Sequence, residues 1–245
     1  MMSSINVACL ARNEEGRFWR RALQAWSTFA REIVVLDDGS TDATREIAES
    51  FDALVISRDA DVERAWGAES EARSQLFAEA WKVTRVDDYI LVLDADMTPA
   101  RDPSLLTETG AAGIFFPLYD LWSQDEAGRF MYRDDDFWRG HRSPRLWMVR
   151  KTADFEPHAK DWSKRGIHVG HFPATMTFDR FAYAPHDYAL LHFAYVTPEL
   201  REEKYASYAS VASDLTDFER DHAISIMDPE PRVFQLPFHP ELSLT

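Results

Sequence analysis

Short apolar segments alternate with helical patterns along the first hundred residues of this chain. Four of them have the length and composition of strands: INVACLA at 5–11, EIVVLDDGS at 32–40, ALVIS at 53–57 and DYILVLDAD at 88–96. Helical spacing of apolar residues and good helix formers occupy the stretches between them, at 13–29, 40–51 and 67–82. Strands this apolar are typical of a parallel sheet that is buried on both faces. The sequence therefore predicts an α/β fold with a mostly parallel, Rossmann-like sheet covered by helices on both faces.

The pattern becomes less regular beyond Pro99. We expect a short helix at 103–110, strands at 112–122, 145–151 and 188–196, a polar loop or hairpin at 123–143, and a helix at 197–221. The proline-rich tail is expected to wrap the surface without forming an element. Because no repeat or linker divides the sequence, we predict a single domain over 1–245, with parts at 1–100, 101–225 and 226–245.

Charge and composition exclude several classes of protein. The formal net charge of −15 argues against nucleic-acid binding by a broad basic face, although it leaves room for a local basic groove. No apolar run is long enough for a membrane span, and the N-terminus lacks the basic region of a signal peptide. Cys9 is the single cysteine, so no disulfide can form within the chain. We therefore expect a cytoplasmic protein without a transmembrane segment.

Acidic residues follow two of the predicted strands. Asp37 and Asp38 end the second strand, and Asp94 and Asp96 end the fourth. Ligands of parallel α/β sheets bind outside the carboxyl ends of the strands. Two aspartates one residue apart can direct both carboxylates toward one Mg²⁺ or Mn²⁺ ion, which prefers oxygen ligands. The alternative is a pair of solvated turn acids, with Asp96 capping the following segment.

The motifs around these acids resemble those of glycosyltransferase family 2, whose members are nucleotide-sugar enzymes with a GT-A fold. The resemblance rests on four segments taken in order: ARNEE at 11–15, VVLDDGSTDATREIA at 34–48, GAESEARSQL at 67–76 and ILVLDADMTP at 90–99. It implies a nucleotide-sugar-binding half at 1–100, a more irregular acceptor-binding half at 101–225, and Mn²⁺ or Mg²⁺ as cofactor.

The resemblance also assigns residues. Asp38, with Asp37 beside it, matches the acid that binds the nucleotide base, and Glu14 matches a residue near the ribose. Arg73 matches the arginine that supports the donor beside Asp94. The full donor-binding set that it implies is Ala11, Arg12, Glu14, Asp37, Asp38, Arg73, Asp94 and Ala95.

The implied metal site consists of Asp94, Asp96 and His192, with Asp96 as the direct ligand. His192 lies in LLHFAYVTPELREEKYASY (190–208), which is similar to the late strand and helix of the family and also places Lys204 and Tyr208 nearby. From the residues alone, a histidine packed in the core is an equally good interpretation of His192.

The expected catalytic base is where the sequence departs from the family. Inverting members carry an acid well before the late histidine, but KDWSKRGIHVGHFP at 160–173 contains no Glu–Asp pair. Asp161 and His168 are the groups there that can accept a proton. A separate metal site formed by His158, His168 and His171 is an alternative.

Several side chains of the acceptor-binding half have two possible interpretations each. Four tryptophans belong either to the core or to an acceptor groove, the 134–136 acids either to a solvated loop or to an acceptor loop, and two arginines either to the surface or to an anionic acceptor site. These residues are Trp122, Trp138, Trp147, Trp162, Asp134, Asp135, Asp136, Arg142 and Arg145.

The sequence thus predicts a metal-dependent glycosyltransferase that moves a sugar from a nucleoside diphosphate, with UDP favoured, to a hydroxyl with inversion. Its acceptor is a saccharide, a lipid-linked precursor, a protein side chain or a hydroxylated base of a nucleic acid. A nucleotidyltransferase is disfavoured because ARNEEGR, after the first strand, is not a glycine-rich basic loop. A non-catalytic module that binds nucleotide sugars is the remaining alternative.

Overall fold

The computed structural model describes residues 3–58, 69–157, 164–165 and 168–241. The strands are β1 (Ile5–Ala11), β2 (Ala30–Asp37), β3 (Leu54–Ser57), β4 (Tyr89–Asp94), β5 (Met97–Pro99), β6 (Gly113–Phe116), β7 (Leu118–Gln124), β8 (Phe130–Arg133), β9 (Arg145–Arg150), β10 (Lys164–Arg165), β11 (His168–Val169), β12 (Phe181–Tyr183), β13 (Leu190–His192) and β14 (Val233–Gln235). The α-helices are α1 (Trp19–Trp26), α2 (Thr44–Glu49), α3 (Glu69–Val83), α4 (Pro198–Ala209) and α5 (Asp217–Ser225), and 3₁₀ helices occupy Pro103–Thr109, His186–Tyr188 and Ala212–Asp214. None of these helices has the length and apolar character needed to cross a membrane.

A seven-stranded sheet forms the centre of the fold, in the order β12-β6-β9-β4-β1-β2-β3. β1 lies between β2 and β4 and is parallel to both, while β9 is antiparallel to its neighbours β4 and β6. Alternate residues of β1 face opposite sides, as the pleat requires. Val7 packs in one core cluster with Leu23 of α1, and Ala8 packs in the other with Phe77 of α3. The predicted α/β fold, with a mostly parallel sheet between two helical layers, is confirmed.

A five-stranded sheet, in the order β14-β8-β7-β13-β5, adjoins the first through the β4–β5 turn. The segment 112–122 was predicted as one strand, but it forms β6 in the first sheet and β7 in the second. Pro117 separates the two. Because proline has no N–H group, it interrupts a strand ladder and allows the chain to change sheets.

Three other predictions for the second half were wrong in detail. The strand expected at 188–196 is limited to β13, since a 3₁₀ turn precedes it. The helix expected at 197–221 is two helices, because Thr216 and Glu219 form a capping box that begins α5 anew. The tail does form an element, which is β14. This strand lies between Pro231 and Pro237 and pairs antiparallel with β8.

Arg133 joins β8 to the segments that cover the second sheet. Its guanidinium is buried and donates hydrogen bonds to Asp135 at 2.6 Å and to Asp228 at 2.9 Å. It also lies 4.6 Å from the ring centroid of Trp122 and 5.4 Å from that of Trp138. These contacts place both tryptophans in the core, and Asp135 in an ion pair rather than a solvated loop.

Candidate active site

Two loops at the carboxyl edge of the first sheet are joined by hydrogen bonds. The loop after β1 contains ARNEE, and the loop after β2 contains DDGSTD. Asn13 adopts a left-handed conformation with φ of 53°, and its backbone N–H donates to Ser40 Oγ at 3.0 Å. Its side-chain oxygen in turn accepts from the backbone N–H of Thr41 at 2.9 Å. The two motifs therefore form one braced surface beside the ends of the strands.

The adjacent aspartates of DDGSTD have different environments. Asp37 is buried, and its carboxylate accepts the backbone N–H of Ser40 at 3.0 Å, so it holds the turn. Asp38 lies 3.2 Å from Arg58 Nη1. Its backbone N–H donates to the carbonyl of Ala11 at 2.9 Å, which fixes its position next to β1. The assignment of either acid to the nucleotide base stays a prediction.

Strand register brings His192 to the turn of Asp94, Ala95 and Asp96 between β4 and β5, which we call the Asp-x-Asp turn. On β13, His192 is paired with Met97 of β5, the residue that follows Asp96. The imidazole Nε2 lies 3.5 Å from Asp96 Oδ1. On the other side, the Nδ1 atom lies 2.7 Å from a carboxylate oxygen of Asp120 on β7. Sequence reasoning missed Asp120, although an acid within the apolar segment FFPLYDLW is a usable signal.

The charges of this group reinforce one another. Burial alone would raise the pKa of Asp96, but the neighbouring His192 and Lys204 lower it to about 2. Burial alone would lower the pKa of His192, but Asp96 and Asp120 raise it to about 10. Burial alone would raise the pKa of Asp94 as well, but the charges of Arg73, His171 and His192 together lower it. At neutral pH both aspartates of the turn are ionised.

Arg73 of α3 links Asp94 to a second histidine. Its Nη2 atom lies 3.5 Å from Asp94 Oδ1, and its Nη1 atom lies 3.0 Å from His171 Nδ1. The His171 ring lies against Trp147, with centroids 4.3 Å apart. An arginine can only donate, so Nδ1 of His171 accepts the hydrogen bond.

The candidate bases are Asp161 and His168. Asp161 lies outside the described residues, and His168 is described only by its backbone, which pairs with Arg165 in β10 and β11. His158, of the alternative three-histidine site, also lies outside the described residues. The base and the three-histidine metal site therefore stay hypotheses, although His171 itself contacts Arg73.

Glu14 forms an acidic group with Asp94 and Asp96, whose charges act on it. Burial and the carboxylates of Asp96 and Asp94 raise its pKa to about 8, against the lowering effect of Arg17 and Lys204. Its backbone N–H donates to Thr44 Oγ1 at 2.6 Å, which fixes this part of the loop after β1.

Of the two α4 residues that were expected near the site, Lys204 and Tyr208, one acts on the site and the other lies in the core. The charge of Lys204 acts on both Glu14 and Asp96, so the expectation that it lies near the site is confirmed. Tyr208 is buried in a core cluster with Trp122 and Tyr195. The remaining donor candidates are Ala11 and Ala95, which are buried, and Arg12, which is exposed.

Comparison with known proteins places this arrangement in a family. The model of glycosyl transferase family 2 matches residues 12–183, which is more than half of the chain. The chain belongs to glycosyltransferase family 2. A comparison with curated proteins gave no match.

Solved structures similar to this family 2 chain include those of two other proteins. TarS from S. aureus is 16% identical with a TM-score of 0.48, over 91% of this chain and 42% of that one. Its 1–349 fragment is 14% identical with a TM-score of 0.46, over 91% and 70%. Glucosyl-3-phosphoglycerate synthase from Mycobacterium tuberculosis, solved with Mn²⁺, UDP and glucosyl-3-phosphoglycerate, is 25% identical with a TM-score of 0.34, over 48% and 44%. This chain thus spans less than half of the full TarS chain and of the synthase.

The residues of the site fit a divalent cation. Among the described residues, no three histidine, cysteine, aspartate or glutamate side chains are grouped closely enough to hold a metal ion by themselves. Mg²⁺ and Mn²⁺ do not need one, because they commonly bind one or two carboxylates together with water and substrate phosphate. Asp94 and Asp96 supply ionised oxygens, and their charges join burial in raising the pKa of Glu14, a repulsion that a cation would relieve.

The raised pKa of Glu14 predicts a stability that depends on pH. A carboxyl whose folded pKa of about 8 exceeds its unfolded value of 4.5 stabilises fully below the unfolded value and loses that contribution as pH rises through about 8. Glu14→Gln keeps the group neutral. In metal-free buffer, the variant should therefore gain free energy of unfolding over the wild type at pH 8.5, with little difference at pH 5.

Urea unfolding at both pH values measures this difference. Glu126→Gln, at an exposed hairpin turn, is the matched control and should show no such pH dependence. An equal difference for Glu14→Gln at pH 5 and pH 8.5 would contradict the assignment of Glu14 to the acidic group.

Proposed function

We propose that this chain transfers a sugar from a nucleoside diphosphate, with UDP favoured, to an acceptor hydroxyl in the presence of Mn²⁺ or Mg²⁺. The observation that carries the proposal is the meeting of Asp94, Asp96, His192 and Arg73 at the carboxyl edge of a parallel sheet, beside the braced loops. This is the edge at which parallel α/β proteins bind their ligands. Membership of family 2 supports the same reaction class.

Each group has a role in binding the donor. Asp38, on the loop after β2, recognises the nucleotide base, and Glu14 is the residue near the ribose. Arg73 is held by its contacts with Asp94 and His171, so its guanidinium supports the donor beside the metal site. Asp94, Asp96 and, once its Nε2 proton has been released, His192 would hold the cation, which when bound neutralises the charge that develops on the diphosphate leaving group.

The acceptor hydroxyl must lose a proton as it attacks the anomeric carbon. Direct displacement inverts that carbon, and Asp161 and His168 are the proposed bases. His171 is a poor candidate in the observed arrangement, because its Nδ1 lone pair accepts the hydrogen bond from Arg73 and its other nitrogen then carries the proton. It is better suited to donate a hydrogen bond to the donor or acceptor.

Donor turnover tests the proposal without a known acceptor, since water can replace the hydroxyl. Release of nucleotide is measured from UDP-, GDP-, TDP- and CMP-linked sugars, each with and without Mn²⁺. We expect metal-dependent release from one nucleotide class, with UDP first. Asp217→Asn, whose side chain is 98% exposed, is the control and should match the wild type.

Two other results have defined meanings. Tight nucleotide binding with no release from any donor, and no transfer to a panel of saccharide, lipid-linked, peptide and nucleic-acid hydroxyls, would identify a non-catalytic binding module. Release that does not depend on a divalent cation would contradict the metal assignment while leaving glycosyl transfer in place.

A further inference from the structure

Asp120 lies in an unusual position for a carboxylate. It belongs to β7, between Tyr119 and Leu121, which are both buried. Its own side chain is only 13% exposed. Burying a carboxylate is costly unless a charged or hydrogen-bonding partner compensates it, and an apolar residue would serve the strand better. A partner therefore has to explain its presence.

Strand register supplies that partner. β13 lies between β5 and β7, so His192 has Met97 as its neighbour on one side and Asp120 on the other. Residues paired in this way point to the same face of the sheet. The Asp120 carboxylate therefore reaches the His192 ring from the side opposite the Asp-x-Asp turn.

The His192 ring is fixed from three directions. Nδ1 lies 2.7 Å from Asp120 Oδ1, and Nε2 lies 3.5 Å from Asp96 Oδ1. The ring of Tyr195 lies at 87° to the imidazole, with centroids 5.3 Å apart. With the Nδ1–H donating a hydrogen bond to Asp120, the Nε2 atom is the one that faces the Asp-x-Asp turn.

We propose that Asp120 is a positioning residue that accepts the Nδ1 proton of His192 in a hydrogen bond and thereby presents Nε2 to the cation and diphosphate at Asp94 and Asp96. A carboxylate behind a metal-binding histidine fixes the orientation of the ring and strengthens the nitrogen that faces the metal. The inference rests on the proposed function. It assigns to Asp120 a role through His192, with no contact to the donor itself.

The first test examines the ring in the absence of metal and donor. In protein labelled with ¹⁵N-histidine, the hydrogen-bonded Nδ1 proton of His192 should give a downfield signal that His192→Asn removes. The signal should vanish in Asp120→Ala and persist in Asp120→Asn, whose amide oxygen still accepts the bond. A signal that is unchanged in Asp120→Ala would overturn the proposal.

The second test measures Mn²⁺ affinity with UDP present. Loss of a group behind a metal ligand costs about ten- to hundredfold in affinity, and we expect that loss in Asp120→Ala. Asp120→Asn should lose less, because it retains the orientation of the ring, and Asp217→Asn should match the wild type. Wild-type affinity in Asp120→Ala would overturn the positioning role.

Two other causes of a negative result, unfolding of a variant and failure of the proposed function, can be distinguished from failure of the Asp120 proposal. Asp120→Asn keeps the shape of the side chain, and the thermal midpoint of each variant shows whether it is folded. A wild type that binds no Mn²⁺ with any nucleotide would overturn the proposed function and, with it, the role of Asp120 toward the cation. That case is distinguished because the failure occurs without any substitution.

Discussion

Asp96→Ala should lower the rate of donor turnover by about a thousandfold, since metal stabilisation of a leaving diphosphate contributes several kcal/mol to the barrier. The substitution removes the carboxylate that lies next to His192. The pKa of this carboxylate is about 2 in the folded protein, so it is ionised at neutral pH. Loss of the ligand should appear as weaker Mn²⁺ binding and as a lower kcat/KM together. The assay measures nucleotide release at increasing Mn²⁺ concentration.

A control separates this effect from a loss of fold. The ion pair of Asp96 contributes stability above the unfolded pKa of 3.8 that is lost as pH falls through about 2, so Asp96→Ala also loses that contribution at neutral pH. The thermal midpoint must therefore be recorded, and the assay run well below it. A loss of less than about tenfold in kcat/KM, equivalent to about 1.4 kcal/mol, would contradict the assignment of Asp96 as the direct ligand.

Arg133→Ala should lower the free energy of unfolding by about 3 kcal/mol, the lower end of the range for removing one partner of a buried ion pair. The lower end applies because Asp228, one of its two acidic partners, is 37% exposed. Arg133 itself is 2% exposed and packs over Trp122 and Trp138. Urea unfolding with a constant m-value measures the change.

Arg133→Met is the matched variant. It retains an apolar stem beside the tryptophan rings while removing the charge, so its loss should be smaller than that of Arg133→Ala. A loss below about 1 kcal/mol for Arg133→Ala would place Arg133 among surface ion pairs and contradict its role in joining β8 to the covering segments.

The strands and helices that surround the site follow from local pattern. Each of β1, β2, β3 and β4 is a short apolar run, and the acids that follow β2 and β4 are visible as breaks in that run. Parallel strands with helical crossings then place Asp38 and Asp94 at one edge. The general position of the site could therefore be predicted before its detailed geometry.

Other parts of the site depend on contacts that local pattern does not encode. Asp120 and His192 are 72 residues apart, and Arg73 and His171 are 98 apart. These pairs arise from the register of β5, β13 and β7 and from the packing of α3, which periodicity does not specify. The change of sheet at Pro117 is a further example. The proline is visible in the sequence as a break in a strand, but the sequence does not show which strands β6 and β7 pair with.

The measurement that tests the central claim most directly is a calorimetric titration of the wild type with UDP, with and without Mn²⁺, repeated with GDP, TDP and CMP. The account predicts that one nucleotide, with UDP first, binds at least about tenfold more tightly when Mn²⁺ is present, a difference of about 1.4 kcal/mol. Failure of all four to bind under either condition would contradict it, because the acids at the carboxyl edge would then hold neither metal nor diphosphate.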